Sequence, residues 1–331
     1  MALDRTRRLL PGLALLGALG AVARAVGAAS PLSPYVVAIG AGVAVAAVAA
    51  VAGRPGWLRP GIDRYKLLLE TGIVLLGAGL TVTQLVDTGP VVVGLAAGVV
   101  VFGVVLGESI GRVAGVEPTT RSLLSAGASV CGVSAVLAVA GSIGADEADI
   151  TYAAGTVLLF DAATLLVFPA VGVALGLSDP VFGVWAGLSL FSTGPAAAVG
   201  FAVSDAAGQW ATVTKLVRNA FIGVLAVGYA VHHAAGAGGR PDARQVWYRF
   251  PKFLVGFLAV VVIANAGLLD AGARAGLSTV SDWLFTVAFV GLGMDLNPRR
   301  LRATGLAPIA VVLAQFLVVS GLAYLAVTLL L

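Results

Sequence analysis

The segment ATVTKLVRNAFIGVLAVGYAVHH, residues 211–233, is apolar enough to cross a lipid bilayer, yet it contains two cations. Lys215 and Arg218 lie three residues apart and Asn219 follows, so a helix places the three side chains on one face. A charged side chain at the centre of a bilayer costs about 2.5–3.5 kcal/mol on insertion scales. The segment therefore predicts a membrane helix whose cations face the protein interior rather than lipid.

The whole chain has the composition of an integral membrane protein. Of its 331 residues, 59% are hydrophobic and 11% are charged, whereas charged residues make up about a quarter of soluble domains. Apolar stretches of roughly 20 residues recur along the chain, and the abundant glycine suits close helix packing in lipid. Because a spanning segment must satisfy its own backbone hydrogen bonds, we expect an all-α polytopic protein.

Several function classes are disfavoured by the charged and reactive residues. The net charge is +4, and basic residues that flank membrane spans explain it without nucleic acid as a partner. Cys131 is the only cysteine, which rules out an intrachain disulfide and a multi-cysteine metal site. No histidine lies at membrane depth to activate Cys131 or Ser129 as a nucleophile, so we expect neither an enzyme nor a metal site.

Apolar runs between charges and Gly or Pro breaks predict eleven spans. Of the 20 Lys and Arg residues, 16 fall in connections on one side, and the opposite connections hold only Arg274. The positive-inside rule then places the N-terminus in the cytoplasm and the C-terminus outside the cell membrane. The spans lie near 9–28, 34–52, 67–86, 90–111, 122–143, 150–176, 181–203, 209–231, 253–270, 281–297 and 306–331.

The first span has two interpretations. Its basic start, its apolar run LLPGLALLGALGAVA and the small residues of ARAVGAAS also resemble a secretory signal peptide. We expect the span to be retained as a peripheral helix over residues 1–30. Cleavage would leave ten spans in the same orientation.

Three spans are candidates for interrupted helices. Segment five reads LLSAGASVCGVSAVLAVAGS, residues 123–142, and segment seven reads GLSLFSTGPAAAVG, residues 187–200. Segment ten reads FVGLGMDLNP, residues 289–298. Broken backbone at membrane depth requires a protein interior or a cavity, and half-helix N-termini there suit an anion. The alternative is ordinary helix packing, in which Gly, Ser and Cys are also common.

With the first helix peripheral, the remaining spans form a single transmembrane domain made of two five-helix units. The first repeat covers residues 31–177 and the second covers residues 178–331. An odd number of spans in each unit makes the two inverted in the membrane, which is a transporter architecture. This arrangement pairs interrupted segment five with interrupted segment ten, and we expect the two to cross near each other.

The natural partner of the buried cations is Asp161, which lies eleven residues into segment six and near the midplane. Two cations against one acid leave room for an anionic ligand, although a purely structural Asp161–Arg218 pair is the alternative. Glu70 and Glu108 lie near the ends of segments three and four, with Lys66 and Arg112 as available partners. We interpret these two acids as interface or gate residues.

Four segments resemble, in order and spacing, the YeiH family of bacterial and archaeal membrane proteins, also called sulfate exporters. They are SAGASVCGVSAVLAVAGSI (125–143), ITYAAGTVLLFDAATLLVFPAVG (150–172), FGVWAGLSLFSTGPAAAVG (182–200) and ATVTKLVRNA (211–220), and GIVLLGAGLTV (72–82) and VAFVGLGMDL (287–296) fit the same pattern. The resemblance implies an inverted-repeat transporter. One departure is that Leu190–Gly194 stands where many members carry a His-Glu or His-Asp pair.

The leading hypothesis is a secondary transporter of a small anion, with sulfate or a sulfonate as first candidates and export as the first candidate direction. The alternatives are a cation-coupled organic-anion symporter and an anion channel. No cofactor is expected; Asp161 and Asp295 are candidates for a coupling H⁺ or Na⁺, and a homodimer stays open. The predicted substrate site comprises Ser129, Cys131, Gly132, Ser134, Ser192, Thr193, Lys215, Arg218 and Asn219.

Overall fold

A computed structural model describes residues 2–30, 32–53, 55–80, 82–234, 252–295 and 306–331. Within these ranges every regular element is a helix. The α-helices are α1 (Ala2–Ala29), α2 (Pro34–Ala52), α3 (Arg59–Ile62), α4 (Tyr65–Leu76), α5 (Val82–Val113), α6 (Pro118–Ser129), α7 (Val133–Ile143), α8 (Glu147–Ala174), α9 (Asp179–Ser189), α10 (Thr193–Val203), α11 (Asp205–Asn219), α12 (Ile222–Ala234), α13 (Lys252–Asn265), α14 (Ala271–Asp295) and α15 (Leu306–Leu330).

The described helices make the chain an α-helical polytopic membrane protein. Six helical stretches among the described residues are long and apolar enough to cross a bilayer. They are Arg8–Ala29, Gly89–Val113, Glu147–Ala174, Asp205–His233, Ala271–Asp295 and Leu306–Leu330. Four shorter apolar helices accompany them. The count of eleven spans, the orientation of the termini and the inverted repeat stay predictions.

The chain forms two compact units, each drawn from separate parts of the sequence. Unit 1 combines Met1–Asp87 with Lys252–Asn297, and unit 2 combines Thr88–Pro251 with Pro298–Leu331. Each unit therefore takes residues from both predicted repeats.

In unit 1, α14 packs against α1, α2 and α4. At the contact with α2, a Cβ added to Gly42 would lie 2.1 Å from the Val290 carbonyl oxygen. A Cβ added to Gly293 would lie 2.3 Å from the Ile39 carbonyl oxygen. The two backbones are thus closer than any side chain allows, as small residues permit in membrane helix pairs.

This close approach predicts that Gly42→Ala lowers the free energy of unfolding by about 1–3 kcal/mol, the usual cost of overpacking. The matched control is Gly40→Ala on the same helix, where an added Cβ meets nothing within 4 Å. Thermal unfolding of the detergent-purified protein measures both. Equal melting temperatures for the two variants would show that α2 and α14 do not pack this way.

Within the described residues, unit 2 contains three interruptions that fall inside predicted spans. The first separates α6 from α7 at residues 130–132, and the second separates α9 from α10 at residues 190–192, so the predicted breaks in segments five and seven are confirmed. Pro195 falls in the first turn of α10, where its missing N–H removes no helix hydrogen bond. A third interruption at Ala220 and Phe221 separates α11 from α12 and was not predicted.

Two expectations about helix continuity are wrong. Segment ten is not interrupted in the described chain, because α14 continues through Gly291 and Gly293 to Asp295. The glycines serve packing instead, since a Cβ on Gly291 would lie 2.2 Å from the Tyr65 Cβ. Segment three does not continue to residue 86, because α4 ends at Leu76 and a 3₁₀ turn follows.

Candidate functional site

Lys215 lies between the ends of two interrupted helices. Its Nζ donates hydrogen bonds to the Val130 carbonyl oxygen at 2.6 Å and to the Leu190 carbonyl oxygen at 2.7 Å. Val130 is the C-cap of α6, and Leu190 is the C-cap of α9. One ammonium group therefore joins the C-terminal ends of both half-helices.

Arg218 binds the same two helix ends through three of its nitrogens. Nε donates to the Ser129 carbonyl oxygen at 2.7 Å, and Nη2 donates to the Ala128 carbonyl oxygen. Nη1 donates to the carbonyl oxygens of Leu188 at 2.8 Å and Leu190 at 2.7 Å. The guanidinium thus satisfies carbonyls of α6 and α9 that have no partner within their own helices.

This arrangement shows what lies opposite the two cations in the apolar segment. Both side chains are fully buried, at 0% exposure. The last turn of a helix carries unpaired carbonyls and a partial negative charge, which a cation compensates. Lys215 and Arg218 therefore stabilise the break itself, with backbone as their direct partner.

The N-terminal ends of α7 and α10 also lie side by side. A Cβ added to Gly132, the N-cap of α7, would lie only 2.1 Å from the Ser192 Oγ, and Ser192 is the N-cap of α10. Neither N-cap makes a side-chain hydrogen bond to its own helix. First-turn N–H groups lack intrahelical partners, so two partial positive charges meet here.

Asp161 lies at this positive end of the break. Its Oδ1 accepts a hydrogen bond from the Ser192 backbone N–H at 3.1 Å, and its Oδ2 has no partner although the side chain is 3% exposed. Within the described chain it forms no ion pair with Lys215 or Arg218, so the expected direct pairing is corrected. The cations bind the helix C-termini, whereas the carboxylate binds a helix N-terminus.

Asn219 borders the same region. Its Nδ2 donates to the Thr193 Oγ1 at 2.9 Å, and its Oδ1 has no partner although the residue is 2% exposed. Ser192 and Thr193 are partly exposed, unlike the residues around them. Unsatisfied buried oxygens beside partly exposed hydroxyls are the features of a ligand position rather than of a closed core.

The remaining predicted site residues divide between the two units. Cys131 is buried in the break of unit 2, whereas Ser134 is exposed on α7. Ser129 is buried, and its hydroxyl accepts a hydrogen bond from the Gln315 Nε2 at 3.0 Å. Asp295 belongs to unit 1, where its Oδ2 accepts a hydrogen bond from the Tyr65 hydroxyl at 2.8 Å. These two aspartates, Asp161 and Asp295, thus belong to different units.

The two predicted gate residues differ in their surroundings. Glu108 pairs with Arg121 on α6 at 2.7 Å rather than with the expected Arg112, because Gly111 lets α6 approach α5 closely. A Cβ on Gly111 would lie 2.6 Å from the Arg121 Cγ. Glu70 is exposed on α4.

Two kinds of group at the helix breaks were not predicted from the sequence. The carbonyls of Leu188 and Leu190 carry no side-chain signal, because every residue has a carbonyl. Gln315 could have been recognised from the sequence, because it is the lone amide side chain within the apolar helix α15. No group of three or more His, Cys, Asp or Glu residues that could hold a metal occurs in the described ranges.

The fold and this break define a polytopic α-helical membrane protein with interrupted helices and buried charges at their ends. A family model described as "Conserved hypothetical protein 698" matches residues 11–312, and the chain belongs to that family, the UPF0324 or YeiH membrane proteins. No solved structure matches the chain.

Curated relatives carry the same family name. A UPF0324 membrane protein of Rhodopirellula baltica is 31% identical over 269 residues, which cover 75% of this chain and 49% of the relative. The chain thus spans about half the length of that protein. One from Nitratidesulfovibrio vulgaris is 30% identical, with 77% of this chain and 72% of the relative covered. One from Vibrio vulnificus is 28% identical, with 77% and 81% covered.

Proposed function

We propose that the protein is a secondary transporter of a small anion, with sulfate or a sulfonate as first candidates, and that it works by alternating access. The observation that carries the proposal is an excess of buried positive charge at the breaks of unit 2. The substrate would bind at the N-terminal ends of α7 and α10.

The charges of the buried side chains and helix ends at the breaks of unit 2 do not cancel. Among the described residues, the buried ionisable side chains are Lys215, Arg218 and Asp161, which sum to +2 − 1 = +1 when all three are ionised. The C-termini of α6 and α9 add about −0.5 each and the N-termini of α7 and α10 add about +0.5 each, so the helix ends cancel. One positive charge is left without a counter-charge in an apolar interior, where an isolated charge is costly. A sulfonate, which carries one negative charge, balances it, and sulfate, a dianion, is balanced when an H⁺ or Na⁺ also occupies Asp161.

The N-terminal ends supply donors for such an anion. The N–H groups of the first two residues of each helix, Val133 and Ser134 in α7 and Thr193 and Gly194 in α10, precede the helical hydrogen-bond pattern, and neither helix has a side-chain cap. The Thr193 hydroxyl accepts from Asn219, so its own hydrogen is free to donate to a ligand. Helix N-termini with nearby hydroxyl donors are a common binding arrangement for sulfate-like groups.

The unpartnered Asp161 Oδ2 favours the cation-coupled alternative. An ionised Asp161 would repel an anion at the adjacent helix ends, whereas an H⁺ or Na⁺ on Oδ2 removes that repulsion. Binding of cation and anion would then be mutually favourable, which is the thermodynamic basis of symport. Asp161 is thus the proposed coupling residue.

The test begins with the melting temperature of the purified full chain in sulfate, methanesulfonate and chloride at fixed cation concentration. A bound anion raises the melting temperature to a degree set by its concentration relative to its dissociation constant. Thr193→Val should weaken the apparent affinity roughly tenfold or more, because a hydrogen bond to a charged group contributes about 1.5–3 kcal/mol. Counterflow in proteoliposomes then measures transport of the stabilising anion.

Thr212→Val is the matched control, because the buried Thr212 hydroxyl donates only to the Gly208 carbonyl oxygen within α11. It should leave anion affinity unchanged. Stabilisation by no tested anion, or wild-type affinity in Thr193→Val, would refute the proposed site. Flux that does not saturate and shows no counterflow would indicate a channel instead.

A further inference from the structure

Two buried oxygens beside the start of α10 are hydrogen-bond acceptors without a donor. Within the described chain, Asp161 Oδ2 and Asn219 Oδ1 have no hydrogen-bond partner, and their residues are only 3% and 2% exposed. An ionised carboxylate and an amide oxygen accept hydrogen bonds but cannot donate one. A ligand that satisfies these oxygens must therefore supply a hydrogen of its own, which sulfate and a simple alkylsulfonate do not have.

Asp161 lies where the N-terminal ends of α7 and α10 meet. Its Oδ1 accepts the Ser192 N–H at 3.1 Å, and Oδ2 is bonded to the same carbon atom, so it lies at the same end of α10. A Cβ on Gly132, the N-cap of α7, would lie 2.1 Å from the Ser192 Oγ and 3.3 Å from the Val157 Cγ1. Val157 is one helical turn before Asp161 on α8. Helix α8 therefore runs past both N-caps, with its unpartnered carboxylate oxygen beside them.

This combination of groups favours one kind of anion. Helix N-termini attract negative charge, whereas an ionised carboxylate repels an oxygen that carries negative charge and no hydrogen. A monoanion with a hydroxyl suits both, because its ionised oxygens can accept from N–H groups while its hydroxyl donates to Asp161 Oδ2. It also balances the single positive charge that is left when Lys215, Arg218 and Asp161 are all ionised.

We propose that the preferred substrate is a monovalent oxyanion that keeps a hydroxyl on its acidic centre, a singly charged phosphonate or phosphate, and that Asp161 is the residue that selects it. A phosphonate monoanion has one hydroxyl for Asp161 Oδ2. Dihydrogen phosphate has two, which match in number the two free acceptors of Asp161 and Asn219. This substrate class rests on the proposed function and narrows it, because the anion then brings the proton that sulfate would require on Asp161.

Methylphosphonate monoanion and methanesulfonate are matched probes, since they share size, shape and charge and differ by one hydroxyl. The melting temperature of the purified full chain is titrated with each probe, at a pH below the second ionisation of methylphosphonate, to give two apparent dissociation constants. We expect the wild type to bind methylphosphonate roughly tenfold or more tightly, because a hydrogen bond to a charged acceptor is gained and a repulsive contact is removed.

Asp161→Asn should lower the ratio of phosphonate to sulfonate affinity roughly tenfold or more. The Ser192 N–H holds an oxygen at the Oδ1 position, so the amide places its NH₂ at the Oδ2 position, where it donates instead of accepting. Asp149→Asn is the matched control on the same helix, because Asp149 is partly exposed and binds the Thr120 hydroxyl outside the breaks. It should keep the wild-type ratio.

The comparison of the two probes on the wild type decides the substrate class even if Asp161→Asn does not fold. Equal or tighter binding of methanesulfonate by the wild type would overturn it, although the anion site of the proposed function would then stand. An unchanged affinity ratio in folded Asp161→Asn would overturn the selection by Asp161. Stabilisation by neither probe and not by sulfate would refute the proposed function and the substrate class together.

Discussion

Arg218→Met should lower the free energy of unfolding by about 3–5 kcal/mol, the cost of removing one partner from a buried charged network. The guanidinium satisfies four carbonyl oxygens in the breaks of α6 and α9, and methionine fills much of its volume without a donor. The four residues that carry these carbonyls are buried, so water cannot replace the lost donors cheaply.

Thermal and denaturant unfolding in detergent measure this loss. Arg218→Lys should recover only part of the stability, because an ammonium cannot reproduce the fork of donors. Arg274→Met is the matched control, since Arg274 also donates to backbone carbonyls, those of Ala264 in the last turn of α13 and of Leu269 in the connection that follows, but is partly exposed. Its loss should cost about 1 kcal/mol or less, as for other solvated interactions. Equal losses for Arg218→Met and Arg274→Met would refute the capping role of Arg218.

Gly132→Ala should be the next most damaging change. Gly132 has φ 68° and ψ −134°, a region that is essentially reserved for glycine and costs other residues about 1–3 kcal/mol. The added Cβ would also lie 2.1 Å from the Ser192 Oγ and 3.3 Å from the Val157 Cγ1. Because Ser192 also donates its N–H to Asp161, the change would move the break of α10 as well as that of α7.

The control for the backbone contribution is Gly144→Ala, at φ 69° and ψ 34° with nothing within 4 Å of an added Cβ. That left-handed position costs an alanine about 1 kcal/mol. We expect Gly132→Ala to lower the melting temperature more than Gly144→Ala does. Gly132→Ala should also weaken the stabilisation by anions, whereas Gly144→Ala should leave anion affinity unchanged. Melting curves with and without sulfate measure both effects. Equal behaviour of the two variants would contradict the close contact between the α7 and α10 ends.

Local signals in the sequence were sufficient to find two of the three breaks in unit 2. The run around Gly132 and the Ser-Thr-Gly-Pro stretch ending at Pro195 interrupt apolar segments with residues that favour non-helical backbone. The break at Ala220 and Phe221 was missed because neither residue type disfavours a helix.

Glycine was also the reason for the wrong prediction in segment ten. Gly291 and Gly293 are compatible with a break and with close packing, and sequence does not distinguish the two uses. The structure does, because the missing side chains admit Tyr65 and the α2 backbone while α14 stays continuous. Segment five needed its glycine for a positive φ, whereas segment ten needed its glycines for space.

The sequence by itself determined that this is a helical membrane protein, because composition and span length depend only on the cost of placing groups in lipid. It also determined that Lys215, Arg218 and Asp161 are internal, for the same reason. Only the tertiary structure decided what these charges bind. The cations bind carbonyls of α6 and α9, 25–90 residues away in the chain, and the carboxylate binds the Ser192 N–H. Every residue type offers these backbone groups, so no pattern of side chains could identify them.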